Sequence, residues 1–245
     1  MTSPASLVPP YVSAQPISRW LAALLVATGL AAWIAVGFDL ADIQLLGREA
    51  DGESIESLDK RAHGLTAVVL FTIQTVLLAG TVFFFMLWTY AARSNLRALG
   101  ARRLDYRTAW SVTGWWIPGL NFVRPYQVLR EIWKASDPAI ADRFEWKLAP
   151  TPRILVLWWI TFVGFLSFEI VSLAMSMGAS GVLVKFQLAR ATSILADTCG
   201  AISASLAWFV VTKITDSQVE KWELRDRHET IDDDLLAHPV ERESP

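Results

Sequence analysis

Residues 65–92 carry no charged side chain at all. A helix needs about 20 apolar residues to cross the roughly 30 Å hydrocarbon core of a bilayer, and inside that core a backbone satisfies its polar groups only as a helix or a closed barrel. The run exceeds what a perpendicular crossing requires, so it predicts a helix that tilts or projects from the membrane. Three more runs have the same character. Residues 20–38 are uncharged, residues 154–177 are broken only by Glu169, and residues 191–212 only by Asp197. With 53% of its 245 residues hydrophobic, the chain is too apolar for an ordinary water-soluble domain. The expected fold is all-α: an integral membrane bundle of four transmembrane helices over residues 19–213.

The flanks read differently. Residues 1–18 carry Pro4, Pro9, Pro10 and Pro16 among small polar residues, the composition of a disordered tail. Residues 20–38 also invite a signal-peptide reading, with Ala35-Val36-Gly37 as the cleavage site. The preceding tail is long and nearly uncharged, however, and the apolar run exceeds the usual h-region of about 7 to 15 residues, which favours an uncleaved first helix. The charged tail over residues 214–245 is expected to begin, from Lys213, as a charged helical extension in which Val219, Trp222 and Leu224 are too sparse to bury a core, so that it stays solvated, and Asp232, Asp233 and Asp234 open a disordered end.

Charge is segregated between the loops although the net charge is only -2. Residues 39–64 hold three bases (Arg48, Lys60, Arg61) against seven acids (Asp39, Asp42, Glu49, Asp51, Glu53, Glu56, Asp59). Residues 93–153 hold eleven bases, of which Arg93, Arg97, Arg102, Arg103 and Arg107 share one short stretch. Lys and Arg bias near helix ends sets orientation. The basic loop and both termini are therefore expected in the cytoplasm, with residues 39–64 outside.

Inside the basic loop, residues 109–136 form an element too apolar for a loop, and its apolar run, residues 109–123, is at 15 residues too short for a crossing. Gly114, Pro118 and Gly119 interrupt the segment, which predicts a re-entrant or interfacial element. Trp110, Trp115 and Trp116 suit the headgroup boundary, and Asn121 is placed to satisfy stray backbone groups around Pro118. Pro125 suits the first turn of a helix expected to run from about residue 125 to 136, stopped by Ser136-Asp137-Pro138. On it Tyr126, Leu129, Ile132 and Trp133 share one face and Gln127, Arg130, Glu131 and Lys134 the other. That pattern predicts an amphipathic helix lying on the inner membrane surface.

These residues resemble a bacterial membrane family known as domain-of-unknown-function family 4328. Its hallmark is a G-W-W/F-x-P-x-x-N-x-x-x-P element after a basic R-x-N-x-x-x-L-G stretch. Here those elements look like Arg93-Ser94-Asn95 with Leu99-Gly100, then Gly114-Trp115-Trp116-Ile117-Pro118, Asn121 and Arg124-Pro125-Tyr126, closing with Glu131 and Trp133. The resemblance covers about residues 65–215. It implies a multi-pass protein of the bacterial cell (inner) membrane and brings no activity with it.

Glu169 and Asp197 are the intramembrane ionisable candidates, since a carboxylate at a helix centre costs about 2.5 to 3.5 kcal/mol on insertion scales. Both fall roughly 10 Å below the outer surface at 1.5 Å per residue, so they can face one cavity that holds a proton or cation. Snorkelling, or pairing with Lys185, Arg190 or a hydroxyl, is the plainer account. Ala196, Gly200 and Ala204 fall at four-residue spacing and suit close helix packing. The arginine cluster suits anionic lipid headgroups or a cytoplasmic partner, or serves topology alone.

Nothing points to catalysis. His63, His228 and His238 are mutually distant, Cys199 is single, and neither a G-x-x-x-x-G-K-[ST] loop nor a G-x-S-x-G elbow occurs. No enzyme activity, cofactor, metal or nucleic-acid partner is expected. The leading expectation is a non-enzymatic protein that meets membrane lipid, or an unknown membrane or cytoplasmic protein, through Trp115, Trp116, Pro118, Asn121, Arg124, Pro125, Tyr126, Glu131 and Trp133. The alternative is a small transporter or an ion- or proton-conducting protein using Glu169 and Asp197.

Overall fold

A computed structural model of the chain describes residues 10–52, 57–140, 145–177 and 183–237. Its described elements are the helices α1 (Gln15–Ala50), α2 (Ser57–Asn95), α3 (Trp110–Thr113), α4 (Arg124–Ala135), α5 (Arg153–Met177) and α6 (Leu183–Ala237), with single 3-10 turns at Leu120–Phe122 and Glu145–Lys147. The four long helices α1, α2, α5 and α6 each contain a stretch long and apolar enough to cross a membrane. The chain is an all-α protein with four such helices, and each expected span lies inside one of them.

The helices overrun the expected spans, and the excess matters. Helix α1 continues to Ala50 and α2 begins at Ser57, so Asp39, Asp42 and His63 are helical and not part of an outer loop. Helix α6 continues to Ala237, through the segment expected to be a solvated tail. At the other end, residues 10–14 are tied down, with Tyr11 stacked on Trp222 at 5.0 Å. Residues 1–9 and 238–245, the ends of the two expected disordered tails, lie outside the described residues.

The chain divides into two compact units. The first comprises Ile17–Met86 and Pro152–Val211, the apolar lengths of the long helices. Small residues line much of its interior: Ala196, Ala201, Ala204 and Ala207 of α6 and Ala32 and Ala35 of α1 are buried, together with the larger Leu21 and Leu25. A side chain at Gly200 would meet the Phe165 ring at 3.1 Å, and one at Gly29 would meet the Ala204 methyl at 3.6 Å. Small residues thus let α6 approach both α5 and α1, which is how helices associate where lipid offers no hydrophobic contrast. Outward, Leu65, Phe71, Leu157, Ile160 and Ile170 are exposed, as lipid-facing residues of spanning helices are.

The second unit comprises Met1–Pro16, Leu87–Thr151 and Thr212–Pro245. Trp88, Leu96, Leu99, Val128, Leu129, Ile132 and Ile214 are fully buried in it. Polar side chains complete this core. Gln218 Nε2 donates to the Ala92 carbonyl at 2.9 Å and to Ser136 Oγ at 3.0 Å. Asn95 Nδ2 donates to the Val12 carbonyl at 2.8 Å, and the Val12 amide donates back to Asn95 Oδ1 at 3.1 Å. Lys221 Nζ caps the end of α4 by donating to the carbonyls of Ala135 and Asp137 at 3.1 and 2.8 Å, where a cation also suits the helix dipole.

Helix α4 is amphipathic, but its apolar face meets protein and not lipid. Its buried residues are Pro125, Val128, Leu129, Glu131, Ile132 and Ala135. The buried face is rotated from the one expected, because Glu131 lies on it and finds a cationic partner there.

Candidate functional site

The turn after α2 sets up the first candidate region. The Ala101 amide donates to Leu96 O at 2.9 Å and the Gly100 amide to Arg97 O at 3.1 Å, with Gly100 at φ +88°. That pattern is a Schellman turn, which requires a left-handed residue at its corner. Beyond it, Arg102 to Arg107 line a cavity of about 470 Å³ together with Arg93 and Arg97. Five arginines (Arg93, Arg97, Arg102, Arg103, Arg107) therefore face one space, with Asp105 as the acid among the lining residues.

The two acids near this cavity are already engaged. Lys147 Nζ meets Asp105 Oδ1 at 2.5 Å. Glu131, 3% exposed, lies 2.9 Å from Arg93 Nε, a contact close enough for an ion pair but not aligned as a hydrogen bond. Its other oxygen accepts from the Asp105 amide at 2.5 Å, while Arg93 Nη2 donates to the Tyr106 carbonyl. Burial pushes the Glu131 carboxyl above its ordinary value, against the pull of Arg93 and of the Asp105 and Tyr106 amides. The pair clamps α2, α4 and the 105–106 loop together.

The second region is the tip between α3 and α4. Trp116 is 72% exposed, and Ile117, Phe122 and Val123 are exposed with it, as is Pro118. Behind the tip, the Arg124 guanidinium lies 4.9 Å from the Trp110 ring and 5.1 Å from the Tyr106 ring and donates to Gln127 Oε1 at 3.1 Å. A side chain on Gly114 would fall 2.8 Å from the Trp110 carbonyl, so only glycine fits there. Trp115, Tyr126 and Trp133 are half-buried. Asn121 Oδ1 is buried with no hydrogen-bond partner among the described residues, so that oxygen does not perform the expected service to the backbone.

Residues 53–216 match the family described as domain of unknown function (DUF4328), a match over more than half of the chain. The chain belongs to the DUF4328 family. No curated protein and no solved structure matches it. In this DUF4328 protein the signature residues largely build the second unit: Asn95 ties down the N-terminal segment, Leu99 is buried, Gly100 closes the turn, and Glu131 holds Arg93. Glu131 and Arg124 thus serve the frame, whereas Trp116 and Pro118 stand out from it.

A third region lies in the first unit and joins all four long helices. Arg190 of α6 bridges α1, with Nη1 at 3.2 Å from Asp39 Oδ1 and Nε at 2.6 Å from Asp42 Oδ2. His63 of α2 sits 2.8 Å from Asp42 Oδ1 and stacks on Phe38 at 4.3 Å. Gln74 Nε2 donates to Asp197 Oδ1 at 2.8 Å. Glu169 of α5 is close enough that its charge acts on Asp197. The two expected carboxylates therefore belong to one polar centre. Arg190 is taken by Asp39 and Asp42, two residues whose place among seven acids predicts an outer loop. Their i, i+3 spacing straight after an apolar run was the signal that α1 continues. Among the described residues no three His, Cys, Asp or Glu side chains are grouped to hold a metal ion.

Proposed function

We propose that this DUF4328 protein is a non-enzymatic protein of the bacterial cell membrane, with both termini and the basic loop in the cytoplasm, whose second unit grips the inner lipid–water boundary. The observation that carries this reading is the exposed apolar tip of Trp116, Ile117, Phe122 and Val123. It is joined in sequence to a run of arginines. Apolar rings backed by cationic side chains are what the headgroup region of an anionic leaflet accommodates. The orientation rests on the excess of bases in residues 93–153 over residues 39–64. A polarity-sensitive dye attached through Ile117→Cys, in a Cys199→Ala background, tests it in nanodiscs. The expected result is blue-shifted emission that a lipid-phase quencher removes. Water-like emission would defeat the reading, and blue-shifted emission insensitive to the lipid-phase quencher would point to a protein partner covering the tip.

A second reading is favoured by the polar centre of the first unit. Asp39, Asp42, Glu169 and Asp197 outnumber Arg190 there, and an excess of buried negative charge attracts a proton or cation. We propose proton or cation passage through this centre as the alternative activity. Proteoliposome flux with Glu169→Gln and Asp197→Asn tests it, and equal flux in the native protein and both variants would dispose of the idea.

A further inference from the structure

We propose that the cavity lined by Arg93, Arg97, Arg102, Arg103 and Arg107 is a binding site for a phosphate-bearing anion. The volume of about 470 Å³ lies within the range of small-molecule sites, about 300 to 1,000 Å³. Its charge is one-sided. Arg93 pairs with Glu131 and Asp105 with Lys147, so both acids near the lining already have a cationic partner. Arg97, Arg102 and Arg107 are exposed and make no ion pair among the described residues. Arginines gathered along the lining of one space disfavour each other unless an anion sits among them, and the planar fork of arginine matches the oxygens of a phosphate two at a time.

The frame around the cavity is rigid where the ligand would press on it. Gly100 and the Schellman turn fix the near wall, Trp146 Nε1 donates to the Arg102 carbonyl at 3.1 Å, and Glu131 holds the Asp105 amide. The backbone between them is therefore held in place before any ligand arrives. A preformed site loses less ordering entropy on binding than a floppy basic loop.

Depth favours a lipid as the source of the phosphate. The apolar run of α2 ends at Ala92, and the lining begins at Arg93 in the last turn of the same helix. That register puts the cavity at the level of the headgroups. The lipid source rests on the interfacial reading above; the phosphate site itself does not.

The test uses the full-length protein in detergent with native mass spectrometry to count retained phosphatidylglycerol or phosphatidylcholine. Equilibrium dialysis against inorganic phosphate and pyrophosphate supplies the soluble arm. Arg102→Gln with Arg107→Gln removes two cavity charges; Arg153→Gln with Lys213→Gln removes two exposed charges elsewhere and serves as control. Phosphatidylglycerol should be retained over phosphatidylcholine, and the cavity variant should weaken that by roughly tenfold or more, since each arginine near an anionic headgroup contributes severalfold, with the control near the native value. Saturable pyrophosphate binding that is lost in the cavity variant, without preference between lipids, assigns the same site to a soluble phosphate compound. Equal loss in both double variants, or none in the cavity variant, overturns the site. So does an acidic protein that copurifies through these arginines while neither phosphate source binds. The dye at position 117 is read on the same variants, so a tip that stays in lipid while phosphate binding is absent separates failure of the site from failure of the interfacial reading.

Discussion

Glu131 and Arg93 are each almost wholly buried, and each is tolerable there only because of the other. Removing one partner of such a pair strands a charge and costs about 3 to 5 kcal/mol. Glu131→Ala should therefore lower the unfolding midpoint in detergent sharply, and adding Arg93→Met should recover much of the loss; a single variant as stable as the native protein would refute the clamp. The pH dependence has a definite sign. Burial raises the folded carboxyl above its unfolded value, so its contribution to stability is present below the ordinary carboxylate range and is lost as pH rises through the raised value. The margin of the native protein over Glu131→Gln should narrow across that interval, measured as unfolding midpoints at a series of pH values. Gly100 is constrained differently. At φ +88° a Cβ costs about 1 to 2 kcal/mol, and here it would fall 2.6 Å from Arg225 Nη1, the atom that donates to Ala98 O. Gly100→Ala should reduce stability by at least the backbone amount, with the loss read from chemical denaturation.

The extension of α6 shows how a polar segment becomes core. Val219, Trp222 and Leu224 are too few to form an apolar face, yet Gln218 is 1% exposed and Lys221 8%, because each answers backbone carbonyls that would otherwise be buried without donors. Gln218→Ala leaves the Ala92 carbonyl and Ser136 hydroxyl without this partner, which costs about 1 to 3 kcal/mol per group stranded. Limited proteolysis should then cut the second unit faster than in the native chain, and an unchanged cutting rate would mean the extension is dispensable. Helix α4 followed the same logic. Its period was readable, but which side faces inward depended on Arg93, which lies far away in the sequence.

At the scale of the whole molecule, orientation governs every functional statement. Accessible positions are needed to test it. Asp51 and Ala139 are exposed. In a Cys199→Ala background, Asp51→Cys should react with an impermeant thiol reagent in intact cells, and Ala139→Cys only after lysis. Labelling of the second site in intact cells would reverse the topology and remove the cytoplasmic placement of the arginine cavity.

Run length and the absence of charge suffice for the four long helices, because the bilayer penalises any other arrangement of an unbroken apolar stretch. The concentration of tryptophan and proline in residues 110–133 likewise marked a special segment, and the family resemblance extended it back to Arg93. Neither revealed that Asp39, Asp42, His63 and Gln74 join Glu169 and Asp197, that Glu131 faces inward, or that polar residues of α6 complete the second core. Those outcomes depend on pairings between residues remote in the chain. Hydropathy reports what each side chain does with its solvent, whereas the burial of a charge or an amide is settled by whether a distant partner arrives to satisfy it.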